Sequence, residues 1–311
     1  MPVMTTETPP QETEPVSGFW RLVPEPSLDV VRRWGWASVA VNIGIVVTGG
    51  LVRLTGSGLG CPTWPSCTDE SYVPHAALGV HGAIEFTNRM LGFVVAIVAI
   101  CTWLVVMRYR PIRRDLRRLA TAAALGVPLQ GLIGGVTVLT GLNPWIVSAH
   151  FLVSPIIITL AVSMLRRSRN SPYPHTPPVV RALATAAVVA VWLTVALGTV
   201  TTGAGPHSGD PETGRNGFNP ELVSQLHSDV VFGLFGITIA LVIATRVTAT
   251  SRTLRKLAAW LLAIELVQGA VGFTQYFTGL PWPVVLVHMF LAGLLIALVT
   301  AVYGERGTPA T

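Results

Sequence analysis

Charge is what this sequence has least of. Asp, Glu, Lys and Arg make up 12% of its 311 residues, against 51% that are hydrophobic, a balance that excludes an ordinary soluble globule. The N-terminal stretch 1–18 contains no arginine and is acidic and proline-rich. It has the makings of neither a secretory signal nor a mitochondrial transit peptide and reads as a disordered cytoplasmic tail. Only three cysteines are present, Cys61, Cys67 and Cys101, and none stands in a C-x-x-C-H motif, which argues against covalent attachment of a c-type cofactor. The net charge of +6 would suit nucleic acid, but the basic residues sit in short loops between apolar stretches. Membrane topology and anionic lipid account for them there, so lipid is the expected partner and nucleic acid is not.

What the chain has in abundance is long apolar segments. Eight of them, near 34–54, 82–107, 119–140, 145–165, 179–202, 223–245, 257–277 and 282–303, are long enough to cross a hydrocarbon core of roughly 30 Å, which takes about 20 helical residues. The expected fold is an all-α integral membrane protein with eight transmembrane helices. Of the 21 Lys and Arg residues, only Arg53, Arg89 and Arg215 fall outside the two termini and the segments 108–118, 166–181 and 246–256. Positive residues stay cytoplasmic, which puts both termini inside and points to a multi-pass protein of a prokaryotic plasma membrane.

The sequence repeats itself. Gln130-Gly131, Thr140-Gly141-Leu142 and His150 recur 138 residues later, without a gap, as Gln268-Gly269, Thr278-Gly279-Leu280 and His288. Gly44-Ile45-Val46-Val47-Thr48-Gly49 likewise parallels Gly198-Thr199-Val200-Thr201-Thr202-Gly203. Spans 1–4 therefore correspond to spans 5–8, and because both sets begin on the same side they are parallel repeats. The expected organisation is a tail at 1–33, a four-helix half at 34–165, a cytoplasmic linker at 166–181, a second four-helix half at 182–303 and a short tail at 304–311. Bundles of this kind build cofactor sites from side chains on facing helices.

Histidines mark where those sites would be. His227 and His288 lie within the outer part of spans 6 and 8, on the order of 9 Å or less below the surface at about 1.5 Å per residue. These two spans run in the same direction, so two neutral imidazoles at one depth can oppose each other as axial ligands of a heme. The bland alternative is a pair of packing histidines bonded to neighbouring backbone; ionisable groups inside membranes more often mark function. In the first half His150 matches His288, but the position matching His227 is Asn88. Asparagine is a poor iron ligand. This half offers one strong ligand and one open or weak side, which suits a molecule that enters, reacts and leaves.

Glu85 stands three residues before Asn88 on one helical face, and a carboxylate within a span is costly enough to count as a functional candidate. An ion pair with Arg89, its i+4 neighbour, is the plain alternative. Arg53, Arg89 and His207 lie near the outer surface, where heme propionates would want cationic partners, although headgroup or loop contacts would serve equally. His81, one turn outward from Glu85, is a surface residue or a gate. Asp229 and Glu265 are weaker signals, and Glu265 has no evident partner in the sequence. Cys61 and Cys67 fall in the first external loop, on an oxidising side, where a structural disulfide and a labile redox pair are both open. Cys101 reads as packing.

Gly49-Gly50-Leu51-Val52-Arg53-Leu54-Thr55-Gly56-Ser57-Gly58-Leu59, Glu85-x-x-Asn88-Arg89, the two Gln-Gly … Thr-Gly-Leu … His stretches, the external cysteine pair and Thr202-Gly203-Ala204-Gly205-Pro206-His207 together resemble the heme A synthase family over about residues 34–303. That resemblance implies oxidation of a ring methyl of heme O to the formyl of heme A, for cytochrome c oxidase. It implies a heme b cofactor in the second half on His227 and His288, with His207 nearby. It implies a substrate heme in the first half on His150, near Asn88, Arg53 and Arg89, with Glu85 as the catalytic candidate. Members with a full histidine set carry His where this chain has Asn88. A transient complex with the prenyltransferase that makes heme O would suit a lipid-soluble, reactive product. Two rivals of other classes are a diheme b-type cytochrome passing electrons from quinol, which would want four strong ligands, and a transporter, whose site would lie nearer the midplane.

Overall fold

The computed structural model describes residues 24–169 and 176–306; the expectations for 1–23, for the middle of the 166–181 linker at 170–175 and for 307–311 lie outside them. The described residues are helical without strands: α1 (Leu28–Leu54), α2 (Gly79–Arg108), α3 (Arg114–Leu139), α4 (Pro144–Arg167), α5 (Pro178–Ala204), α6 (Pro220–Val247), α7 (Arg252–Phe277) and α8 (Trp282–Glu305), with a short 3₁₀ turn at Ala76–Leu78. All eight α-helices are long and apolar enough to cross a membrane. Large apolar side chains also cover their outsides, among them Val94, Ile97 and Ile100 on α2 and Leu125, Leu129 and Leu132 on α3. A helix apolar on every face wants lipid rather than water around it.

The chain's punctuation explains where the helices stop and start. Ser27, Asn143, Asn219 and Ser251 each accept a hydrogen bond from a first-turn amide, and Pro144 and Pro220 occupy a first-turn position that needs no donor. Because Ser27 caps α1, residues 28–33, expected in the tail, are already helical. The repeated Thr-Gly-Leu is the end of α3 and of α7. Gly141 and Gly279 have φ of 60° and 76°, and the next amide, of Leu142 or Leu280, donates back to Thr137 or Gln275 at 2.8 and 2.7 Å, closing the last turn.

Helix contacts run in two circuits, α1–α2–α3–α4–α1 and α5–α6–α7–α8–α5, and the circuits meet where α1 and α4 pack on α8 and α4 packs on α5. One buried cluster joins them: Val39, Ile43 and Ile158 from the first circuit lie with Val191, Leu241 and Ile296 from the second. Glycine permits the approach of α1 to α8. A methyl placed on Gly293 would meet Ile43 at 3.3 Å, and one on Gly50 would meet Met289 Sδ at 2.6 Å.

At the opposite end from the disulfide loop, Glu305 of α8 is fully buried and receives Arg166 and Arg169 from the end of α4, with Ser251 at 3.5 Å. Removing one partner from such a cluster strands the other charges. Glu305→Ala is expected to cost about 3 kcal/mol of stability, read as a lower midpoint in thermal denaturation of the detergent-solubilised protein; an unchanged midpoint would show the cluster to be dispensable.

Candidate functional site

Three histidines share one local design. Each projects from the first turns of an even-numbered helix and lays its ring on a glycine of the preceding helix. A methyl built on Gly134 of α3 would meet Cε1 of His150 at 3.1 Å; on Gly198 of α5, Cε1 of His227 at 3.3 Å; on Gly272 of α7, Cε1 of His288 at 3.4 Å. In the second circuit the Cε1–Nδ1 edge rests on the glycine, with Nδ1 at 3.7 Å for His227 and 3.8 Å for His288, and Nε2 is the nitrogen turned away. His227 and His288 are close enough for their charges to interact.

These are not satisfied packing histidines. Nδ1 of His150, His227 and His288 is buried without a hydrogen-bond partner among the described residues; His227 leans towards the Thr194 carbonyl without forming a bond. Buried polar atoms are nearly always paired, and leaving one unpaired costs about 1–3 kcal/mol. In the second circuit Nε2 is thereby left free to take a metal, whereas His150 turns both ring nitrogens towards Gly134, Nε2 at 3.6 Å and Nδ1 at 3.8 Å. The donor set fits heme: two imidazoles in the second circuit, one in the first. Among the described residues no group of three or more His, Cys, Asp or Glu would hold a free metal ion.

The first circuit departs where the sequence departs. Asn88 does not cover a glycine; its Oδ1 accepts a hydrogen bond from Thr48 of α1 at 2.8 Å. Gly44, the repeat counterpart of Gly198, has no side chain within 4 Å of where a methyl would stand.

Glu85 is buried and fully engaged. Its Oε2 accepts the Cys61 amide at 2.7 Å, and its Oε1 accepts Nη2 and Nε of Arg89 at 2.5 and 3.1 Å. Arg89 spends the rest of its guanidinium on the same loop, donating to the carbonyls of Ser66, Cys61 and Thr63 at 3.0–3.1 Å. The i+4 ion pair is thus present, and it fastens the 61–67 loop, which a Cys61–Cys67 disulfide closes. Trp64 of that loop lies against Gly135 of α3, next to the glycine under His150. His81 bonds Ser57 at 2.9 Å.

Arg53 and His207, expected at propionates, also have protein partners. Arg53 donates Nε to the His207 carbonyl at 2.6 Å and Nη2 to the Thr202 carbonyl at 3.1 Å, and His207 Nε2 donates to the Leu280 carbonyl at 2.9 Å. With Gly58 N–H on the Gly209 carbonyl at 2.8 Å, they stitch the two circuits together at the disulfide end. Arg53 Nη1 makes no bond among the described residues. Glu265, unexplained in the sequence, accepts the Thr238 hydroxyl at 2.8 Å and leaves its second oxygen unpartnered.

The glycine seats and Thr48 escaped the sequence reading, although Gly44, Gly198 and Thr48 lie inside the matched repeat. The available signal was the 16-residue offset that Gly134–His150 and Gly272–His288 share.

Comparison with known proteins gives the family of the chain. A heme A synthase of Listeria welshimeri is 32% identical over 149 residues, 45% of this chain and 47% of that protein. The Listeria monocytogenes serotype 4a heme A synthase matches to the same extent, and that of Alkalihalophilus pseudofirmus is 32% identical over 133 residues, 40% of this chain and 43% of the relative. The chain thus spans about half the length of the curated relatives it matches. Residues 32–300 match the family model COX15-CtaA, described as cytochrome oxidase assembly protein, and the chain belongs to that family.

Proposed function

We propose that this protein is a heme A synthase, an oxidoreductase that converts a ring methyl of heme O to the formyl of heme A. The observation that carries the reading is the set of three buried imidazoles on glycine seats, two in one circuit and one in the circuit that carries Asn88. His227 and His288 would hold a heme b, which supplies one-electron redox capacity when bound. The first circuit would receive heme O on His150, with the farnesyl tail along apolar helix faces towards lipid. The methyl would be oxidised to an alcohol and then to a hydrated aldehyde that loses water, each step taking its oxygen from water and giving up two electrons and two protons to an external electron acceptor. Glu85, at the base of the 61–67 loop, would stabilise positive charge at the reacting carbon in a site that excludes water. Arg53, with Nη1 uncommitted, is the best-placed cation for a propionate; Arg89 and His207 would first have to release backbone carbonyls. An electron-transfer diheme cytochrome is disfavoured by Asn88, which Thr48 holds.

The same reading takes the two circuits as parallel four-helix repeats, with substrate and cofactor sites towards the outer face of a prokaryotic plasma membrane and both termini inside. It also proposes a transient complex with the prenyltransferase that makes heme O, to be sought by co-purification from membranes. The activity is tested by producing the chain in cells that make heme O but no heme A and extracting the hemes. Heme A is expected. Protein that carries b-type heme while heme O accumulates unchanged would overturn the synthase reading, and protein without heme of any kind would overturn both sites.

A further inference from the structure

The repeat supplies its own control for the fourth ligand position. Three glycines, Gly134, Gly198 and Gly272, carry an imidazole at 3.1–3.4 Å; the fourth, Gly44, carries nothing within 4 Å. Asn88 is too short to reach across that seat as a histidine would, and it is held elsewhere. Thr48, one turn from Gly44 on α1, donates its hydroxyl to Asn88 Oδ1. The same hydroxyl lies 3.3 Å from the Ile45 carbonyl of its own helix; its repeat counterpart Thr202 bonds only its own helix, at the Gly198 carbonyl, 2.7 Å. With Oδ1 fixed by Thr48, the amide nitrogen Nδ2 points away from it and donates to no group among the described residues. An amide has two donors on that nitrogen, and here neither is used.

We infer that the first circuit binds its substrate heme through His150 alone and keeps the opposite face for a small exogenous iron ligand that accepts a hydrogen bond from Asn88 Nδ2. The ligand class is one of water or diatomic size, neutral or anionic, with an acceptor atom. Asn88 is then a donor beside the iron rather than a ligand of it, and Thr48 is a positioning residue that sets the amide's direction. This rests on the proposed function, since it needs a heme in the first circuit. It accounts for two features together: asparagine at position 88, where the repeat has His227, and the bond Thr48 makes across to it.

The probes are carbon monoxide on the reduced protein and cyanide on the oxidised protein, purified from cells that make heme O, with heme stoichiometry measured by extraction. Two hemes per chain are expected, of which the bis-histidine one is inert and the other binds both probes; a high-spin ferric signal before cyanide would identify water as the resident ligand. Asn88→His is expected to abolish probe binding and convert the second heme to low spin. Asn88→Leu should keep the site open but weaken cyanide roughly tenfold, the loss of one hydrogen bond to a charged acceptor; Thr48→Val should shift cyanide affinity in the same direction by less. Two bound hemes that both ignore the probes would overturn the inference and leave the synthase reading standing. Unchanged cyanide affinity in Asn88→Leu would remove the donor role. A single heme per chain, confined to the second circuit, would overturn this inference and the substrate site with it.

Discussion

His288→Ala is expected to yield folded protein that has lost its low-spin b-type spectrum. His288 is the seventh residue of α8 and sits on Gly272. Removing it leaves a single strong ligand, the condition of the first circuit. Substituting groups that merely orient metal ligands typically costs 10–100-fold in affinity, so loss of the ligand itself should cost at least about 100-fold. The measurement is heme content by pyridine hemochrome together with the visible and EPR spectra of the purified protein. Any heme that remains should be high-spin and should bind carbon monoxide. The seat gives a second arm. Gly272→Ala puts a methyl at ordinary contact distance from the ring and should be tolerated, whereas Gly272→Leu must displace the imidazole and should mimic His288→Ala. If His288→Ala keeps a bis-histidine spectrum, the ligand pair lies elsewhere.

Much of this arrangement was legible because it follows from local chemistry. The eight helices show in runs of apolar residues, since a lipid-facing helix must be hydrophobic all round. The duplication shows because Thr-Gly-Leu is a helix end with a backbone requirement: Gly141 and Gly279 take positive φ, as few residues other than glycine do readily. The Glu85–Arg89 pair was visible as an i+4 spacing. What stayed hidden depends on how helices register against each other. Nothing near Gly134 in the sequence says that the ring of His150 will lie on it, because the two residues meet across the α3–α4 turn. Nor does the spacing of Glu85 foretell that its other oxygen will accept the Cys61 amide, 24 residues away. Arg53 and His207 have a second use that their sequence position alone does not reveal. Their position near the outer surface suggested a ligand's propionates, yet at that end the backbone of two helical circuits also needs donors, and both side chains supply them. Surface cations at a repeat junction serve the junction first.

Glu85→Gln is expected to abolish heme A formation, by about 10²–10³-fold, while leaving heme b and the 61–67 disulfide in place. Alanine alone could not make the distinction. Glu85→Ala removes the charge that faces Arg89 and the acceptor for Cys61 N–H in one step, so it strands a half-buried guanidinium and frees the loop that carries Trp64. Glutamine keeps a side chain of the same length and an acceptor for the Cys61 amide, but it turns an NH2 donor towards Arg89 and removes its counter-charge. A role in stabilising positive charge at the reacting carbon therefore predicts that Gln and Ala are equally inactive, with both below wild type in thermal midpoint for want of the Arg89 ion pair and Gln the less so because it keeps the Cys61 acceptor. A role confined to anchoring the loop predicts the reverse order: Gln active and Ala not. Heme A extracted from heme O-producing cells gives the activity, and the visible spectrum of the same preparation reports heme b. Free-thiol labelling shows whether Cys61 and Cys67 remain joined. Near-normal heme A from Glu85→Gln would reduce Glu85 to a fastening for the loop and leave charge stabilisation to another group.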